Sequence, residues 1–268
     1  MNILKKIVAY KRKEVEQRKS IVPFEQLQDA SGFARSCISL SKALDAKDFG
    51  IIAEYKRQSP SKGIINDRAE ISETTKGYVN SGATGLSVLT DSEFFGGSTD
   101  DLREARINDC PILRKDFIID PYQITEAKSI GADVILLIGA ILKPEETKAF
   151  TAIAHDLGLE VLLEVHTEQE LQDHFFDNID MVGVNNRNLK TFEVDIQNSI
   201  KIAGQIPKNT VKVAESGISS GEAIVELKSH SFKGFLIGEY FMAQDDPPQA
   251  CRELIHRVQV LEQSIHQQ

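Results

Sequence analysis

Glu54 and Lys56 stand two residues apart where the apolar run Gly50-Ile-Ile-Ala53 ends, in "GIIAEYKRQSPSKG". Side chains alternate along a strand, so these two share a face and Tyr55 takes the other. Other apolar runs also close in polar groups: Arg114, Lys115 and Asp116 after "PIL", Glu164 in "LEVLLEV", Asn185 and Arg187 in "DMVGVNNR", and Glu215 and Ser216 in "VKVAES". Singly, each is what a strand reaching water looks like. Gathered over an apolar floor, they would be costly to desolvate without mutual pairing or a polar ligand. Such a cluster also perturbs proton affinities in the way a lysine acid and a glutamate base require.

Two further features fit a ligand with distinct ends. "AESGISSGEA" and "FLIGEYF" place Gly217 and Gly238 directly after a strand and before a helix, where bare N–H groups receive an anion. With Ser59 and Ser61 of "SPSKG" on the first loop, they read as a phosphate grip. "DSEFFGGSTD" puts Phe94 and Phe95 on a glycine-rich loop, and Phe117 follows Lys115 by two, which suits an aromatic ring on the substrate.

These groups meet only if their strands converge. Eight short aliphatic runs, at 50 to 55, 85 to 90, 111 to 116, 133 to 138, 159 to 165, 180 to 185, 211 to 216 and 234 to 239, alternate with longer amphipathic segments. That rhythm implies βαβ units and a parallel sheet. "NSGATGLSVL", "SIGADVILL" and "HDLGLEVLL" each show a glycine helix cap before the next strand. A doubly wound open sheet usually carries G-x-G-x-x-G after its first strand, and "RQSPSKG" stands there instead. The expected fold is therefore α/β, a (β/α)₈ TIM barrel whose strand ends form one mouth. The whole chain, 1 to 268, reads as one barrel domain with residues 1 to 47 as an N-terminal helical extension capping it. Ile3, Ile7, Tyr10 and Glu14/Val15 give the first helix one narrow apolar face with a solvated basic side, and "FEQLQDA" follows as a short second helix.

Bulk properties narrow the class. Hydrophobic residues make up 41% of the 268, enough for a sizeable core. A net charge of −9 argues against nucleic acid, while leaving room for a local basic pocket. The longest apolar stretch, near Val134 to Leu142, is about half a bilayer span, and the N-terminus lacks a signal-peptide core, so a cytoplasmic protein with no membrane partner is expected. Cys37, Cys110 and Cys251 are odd in number and far apart, which reads as reduced thiols. The six histidines show no ligand spacing, so no metal is expected.

The segments "IIAEYKRQSPSKG", "LSVLTDSEFFGGS", "PILRKDFIIDPYQITEA", "GADVILLI", "LEVLLEVHTEQEL", "VGVNNRNLKTFEVD", "VAESGI" and "FLIGE", in this order from about residue 3 to 243, resemble the indole-3-glycerol phosphate synthase family. The resemblance implies closure of 1-(2-carboxyphenylamino)-1-deoxyribulose 5-phosphate to indole-3-glycerol phosphate, with loss of CO₂ and water, in tryptophan biosynthesis. It implies Lys115 as the general acid on the ribulose carbonyl and Glu164 as the acid/base group for loss of the hydroxyl. Lys56, held by Glu54, would meet the anthranilate carboxylate. Asn185 and Glu215 would bind hydroxyl and nitrogen groups, with Arg187 close by. Phosphate would sit on Ser59, Ser216, Gly217, Gly238 and the Glu239 N–H, and Phe94, Phe117, Leu136 and Leu189 would line the anthranilate side.

The sequence departs from the family pattern at Tyr240-Phe241, where Ser-Leu is common, which puts any side-chain role of position 240 in doubt. No appended isomerase barrel is expected. Nor is a cofactor, because ring attack makes the substrate its own electron sink. The partner expected is this small molecule, bound by a monomer or weak homo-oligomer. Two rivals stand beside this reading: a Schiff-base aldolase using a strand-end lysine, and a non-catalytic phosphate-binding barrel.

Overall fold

The computed structural model describes residues 3–188 and 191–266. Eight parallel strands close into a barrel in sequence order: β1 (Gly50–Tyr55), β2 (Gly85–Leu89), β3 (Ile112–Lys115), β4 (Val134–Ile138), β5 (Glu160–Val165), β6 (Met181–Asn185), β7 (Val211–Glu215) and β8 (Phe232–Ile237). Closure runs through β1, which pairs Gly50 with Gly234 on one side and Ile52 with Gly85 on the other. The eighth strand starts two residues before its apolar run and ends before Gly238, and the seventh stops at Glu215 because Ser216 and Gly217 both turn left-handed, at φ 66° and 72°. The three predicted glycine caps are present, with Gly82, Gly131 and Gly158 at φ 101°, 94° and 74°.

Alternation sorts the strand residues into two layers. Ile51, Ala53, Tyr55, Ile135 and Leu163 face the surrounding helices, and Ile52, Leu113, Leu136, Leu162 and Val213 fill the barrel. Tyr55 accordingly points into the helix layer, where its hydroxyl donates to the Ala69 carbonyl at 2.5 Å. No helix among the described residues is long and apolar enough to cross a membrane.

The N-terminal extension divides between the two ends of the barrel. Helix α3 (Leu40–Asp45) plugs the end where the strands begin, with Leu40 and Leu44 set against Gly50, Gly85 and Gly234. Side chains at those glycines would collide with the two leucines; a Cβ at Gly50 would lie 2.5 Å from Leu44 Cδ2. Glu160 at the start of β5 accepts from the Leu40 and Ser41 N–H groups at 2.8 and 3.0 Å, an anion at a helix start. The short helix α2 (Phe24–Gln28) lies between, where expected.

Helix α1 (Ile3–Ile21) covers the opposite end, and its buried face corrects the expectation. Ile7, Lys11 and Val15 are buried, whereas Tyr10 is 37% exposed and meets Phe94 edge-on at 5.8 Å. Lys11 is only 1% exposed because Glu14, Asp91 and Asp116 receive its ammonium at 2.7, 2.8 and 2.9 Å. From there the charges alternate around a closed ring. Glu14 pairs with Arg18, Arg18 with Glu126, Glu126 with Arg114, Arg114 with Asp116, and Asp116 with Lys11 again. Arg114, expected in the mouth, thus belongs to this ring, and Asp116 belongs to it while also lining the cavity at the strand ends. Arg114 is fully buried on the helix side of β3, and it also donates to the Gln123 carbonyl.

Candidate active site

A cavity of about 700 Å³ opens at the carboxyl ends of the strands. Odd-numbered and even-numbered strands alike aim their last inward side chain at it, which is why groups far apart in sequence converge. The cluster at its centre contains two ammonium groups and three carboxylates. Lys56 Nζ pairs with Glu54 Oε1 at 3.0 Å, and Glu54 Oε2 accepts from Ser87 Oγ at 3.0 Å. Lys115 Nζ bridges Glu164 Oε2, at 3.1 Å, and Glu215 Oε2. Asn185 Nδ2 donates to Glu164 Oε1 at 3.1 Å, and His166 Nε2 approaches the same oxygen at 3.4 Å.

Backbone glycines make room for this packing. A Cβ at Gly183 would lie 2.2 Å from Glu215 Oε1, and one at Gly238 would lie 2.6 Å from Glu54 Oε1.

The electrostatics follow from one lysine set between two buried acids. Burial disfavours the Lys115 ammonium, but the charges of Glu215 and Glu164 outweigh it and hold the proton well above the ordinary lysine range. Burial also opposes ionisation of Glu164, yet Lys115 and then His166 pull its carboxyl well below the usual value. For Glu215 burial wins: with Glu164 and Glu54 as like-charged neighbours, its carboxyl is pushed up to about 7 despite Lys115. The two acids therefore titrate as a linked pair, one ionised and one retaining a proton near neutrality.

The remaining predicted residues divide by position. Ser59, Ser61, Ser216, Gly217, Gly238 and Glu239 all line one side of the cavity, with Arg187 beside them. Gly217 must be glycine, since its φ is left-handed and a Cβ would meet Val194 Cγ1 at 2.0 Å. It does not sit at a helix start, however: the helix Gly221–Ser229 begins four residues later, capped by Ser220. The Glu239 carboxylate pairs with Arg187 at 3.0 Å and with Lys62 at 3.6 Å, so two cations are held on this side.

Phe117 and Leu136 lie on the apolar side, together with Ile7 of α1. Phe94 does not line the cavity. The loop after β2 turns it out against Tyr10 and turns Phe95 in, 5.9 Å from Phe117. Leu189 lies outside the described residues.

A family model described as indole-3-glycerol phosphate synthase matches residues 4–254. The chain belongs to the indole-3-glycerol phosphate synthase family. It is 48% identical to the indole-3-glycerol phosphate synthase of Bacteroides thetaiotaomicron over 96% of this chain and 99% of that relative. It is 40% identical to that of Salinibacter ruber, over 95% of each. As a member of the family it is a carboxy-lyase of tryptophan biosynthesis, closing the indole ring of 1-(2-carboxyphenylamino)-1-deoxyribulose 5-phosphate with loss of CO₂ and water. Among solved structures, 3-hexulose-6-phosphate synthase of Salmonella typhimurium matches with a TM-score of 0.63 at 12% identity, covering 79% of this chain and 99% of that one. The tryptophan synthase alpha subunit of Legionella pneumophila matches at 0.57 and 15%, covering 82% and 96%. These likenesses concern the barrel alone.

Sequence reasoning missed Lys11, Lys62, Ser87 and His166, and of the two loop phenylalanines it named it carried Phe94 rather than Phe95 to the anthranilate side. Only His166 left a usable signal: it follows Glu164 by two, on the same side of the chain. Lys62 lies within "SPSKG" but off any periodic element, and two of the three Lys11 acceptors, Asp91 and Asp116, come from distant loops.

Proposed function

We propose that the cavity binds the substrate with its phosphate among Ser59, Ser216, Gly217, Gly238 and the Glu239 N–H, and its anthranilate ring beside Phe95, Phe117 and Leu136. Arg187 and Lys62 support this orientation, because an arriving phosphate dianion can take over the cations that Glu239 now neutralises. Lys56, oriented by Glu54, receives the anthranilate carboxylate.

Lys115 protonates the ribulose carbonyl as the ring carbon attacks it: its N–H bond breaks and an O–H bond forms on the substrate. Loss of CO₂ then returns an electron pair to the ring; in the later dehydration the hydroxyl takes a proton as its C–O bond breaks and leaves as water, and Glu164 accepts the proton that the neighbouring ring carbon releases as the C=C bond forms. Asn185 orients Glu164 through its amide and holds the chain of β6 by accepting from the Arg187 N–H at 3.0 Å. Glu215 keeps Lys115 in place and, retaining a proton itself, can donate to a substrate hydroxyl.

The observation that carries this reading is the Lys115 ammonium bridging Glu164 and Glu215 inside the cavity. The same observation weighs against a Schiff-base role, which needs a neutral amine. Lys115→Met tests it. Indole absorbance is expected to show turnover reduced by at least about a hundredfold, the lower range for general acid catalysis, with KM changed only modestly. Turnover near that of the unaltered enzyme would remove Lys115 from the role.

A further inference from the structure

We propose that His166 is the positioning cation that keeps Glu164 ionised after Lys115 has given its proton to the substrate. This rests on the roles assigned to Lys115 and Glu164 above. His166 leaves the end of β5 on the side of Glu164, its side chain only 9% exposed. Its Nε2 lies 3.4 Å from Glu164 Oε1, and its Nδ1 lies 3.3 Å from Glu170 Oε2 on the helix Glu168–His174. Glu170 also accepts from the His166 backbone N–H at 2.8 Å, so one carboxylate fixes both the ring and the chain that carries it. Nε2 is buried without a hydrogen bond of good geometry, which leaves an ionic contact that can tighten.

The need for it follows from counting charge through the first step. In the resting cluster, Lys56 and Lys115 face Glu54, Glu164 and Glu215. When the Lys115 N–H bond breaks and the carbonyl oxygen takes the proton, the amine left behind is neutral. Lys56 remains committed to Glu54, while Glu164 and Glu215 have lost the cation between them and compete for whatever proton is left. Of the two ion pairs to Glu164, the one to His166 survives this step. A neutralised Glu164 could no longer accept the proton that the later steps release, so the imidazolium decides which carboxylate stays a base.

The surroundings of His166 favour its charged form. Burial opposes protonation, but the hydrogen bond from the ring to Glu170 and the charge of Glu164 outweigh it, with Glu215 adding in the same direction. On its outer side, the helix Gln197–Ala203 brings Lys201, which pairs with Glu168 at 3.3 Å, and Asn198, which donates to the His166 carbonyl at 3.2 Å. Lys201 and Glu168 largely cancel.

The test is the pH dependence of kcat in His166→Asn and in His166→Gln, which is neutral yet able to donate a hydrogen bond. Each is expected to move the acid limb up by about one pH unit, about tenfold in ionisation, with KM within about twofold of the parent. Superimposable limbs, or a loss equal at every pH, overturn the proposal. A second measurement avoids altering His166: in Lys115→Met, carboxylate ¹³C NMR should find Glu164 titrating below Glu215, and the reverse order overturns the proposal. Activity of Lys115→Met and Glu164→Gln separates the two readings. If either retains full turnover, the underlying assignment fails, whereas dead variants with an unshifted His166→Asn limb remove His166 alone.

Discussion

Replacing Lys11 by Met keeps the length of the side chain, and so isolates what its charge does. Three carboxylates meet the Lys11 ammonium within 2.7 to 2.9 Å, and Asp91 and Asp116 are both buried. Their fates differ once the cation is gone. Asp116 keeps Arg114 at 3.1 Å and the Thr90 hydroxyl at 2.6 Å. Asp91 keeps one hydrogen bond, from the Phe94 N–H to Oδ1, while Oδ2 loses its ion pair. Removing one partner of a buried pair costs about 3–5 kcal/mol, and the Asp91 side makes the upper part of that range the expectation.

The sign with pH follows from Asp116. Burial raises its proton affinity, but Lys11 and then Arg114 outweigh burial and hold its carboxyl below the ordinary range. A depressed carboxyl stabilises the fold fully above its unfolded value and loses that contribution as pH falls through the folded one. Lys11→Met weakens the depression, so the gap between variant and parent should be full near pH 7 and narrow below about pH 4.

Urea unfolding followed by far-ultraviolet circular dichroism is the suitable assay, since the chain has no tryptophan. Adding Asp91→Asn to Lys11→Met should restore part of the loss, because it removes the stranded charge. Helix α1 also carries Ile3, Leu4 and Ile7 into the cavity wall, so KM should rise more than kcat falls. An unfolding midpoint and KM both unchanged at neutral pH would refute the reasoning.

Three other outcomes are expected. The Glu215 carboxyl, raised to about 7 chiefly by burial, costs the fold stability as pH rises from its unfolded value through the folded one. Glu215→Gln should therefore match the parent near pH 5 and exceed it near pH 8 by up to about 3 kcal/mol, as read by urea midpoints. Gly183→Ala introduces a Cβ 2.2 Å from Glu215 Oε1, and should lower kcat by displacing Glu215 from Lys115 while leaving the circular dichroism spectrum unchanged. Lys56→Gln should weaken binding of an anthranilate-bearing substrate analogue by about tenfold or more, measured by calorimetry, since a charge-assisted hydrogen bond to the carboxylate is lost.

Much of the scaffold was legible because it is periodic. Alternating aliphatic runs, glycine caps and the absence of a dinucleotide turn all report local geometry, and the barrel follows from them. The strand-end residues Glu54, Lys56, Lys115, Glu164, Asn185 and Glu215 were legible for the same reason, since their side is set by the two-residue repeat. Position within a loop was not. Phe94 and Phe95 are adjacent and chemically identical, and the choice between them depends on a turn that carries one to Tyr10 and the other to Phe117.

By itself the sequence determined which side chains stand at strand ends and which faces the strands bury, because backbone geometry converts spacing into direction. Only the tertiary structure decided that Lys11 is buried, that Arg114 belongs to a ring of charges outside the mouth, and that Lys115 lies between two acids of opposite titration behaviour. The physical reason is that the state of an ionisable group depends on the charges and the water around it. For these residues the neighbours come from other strands and helices.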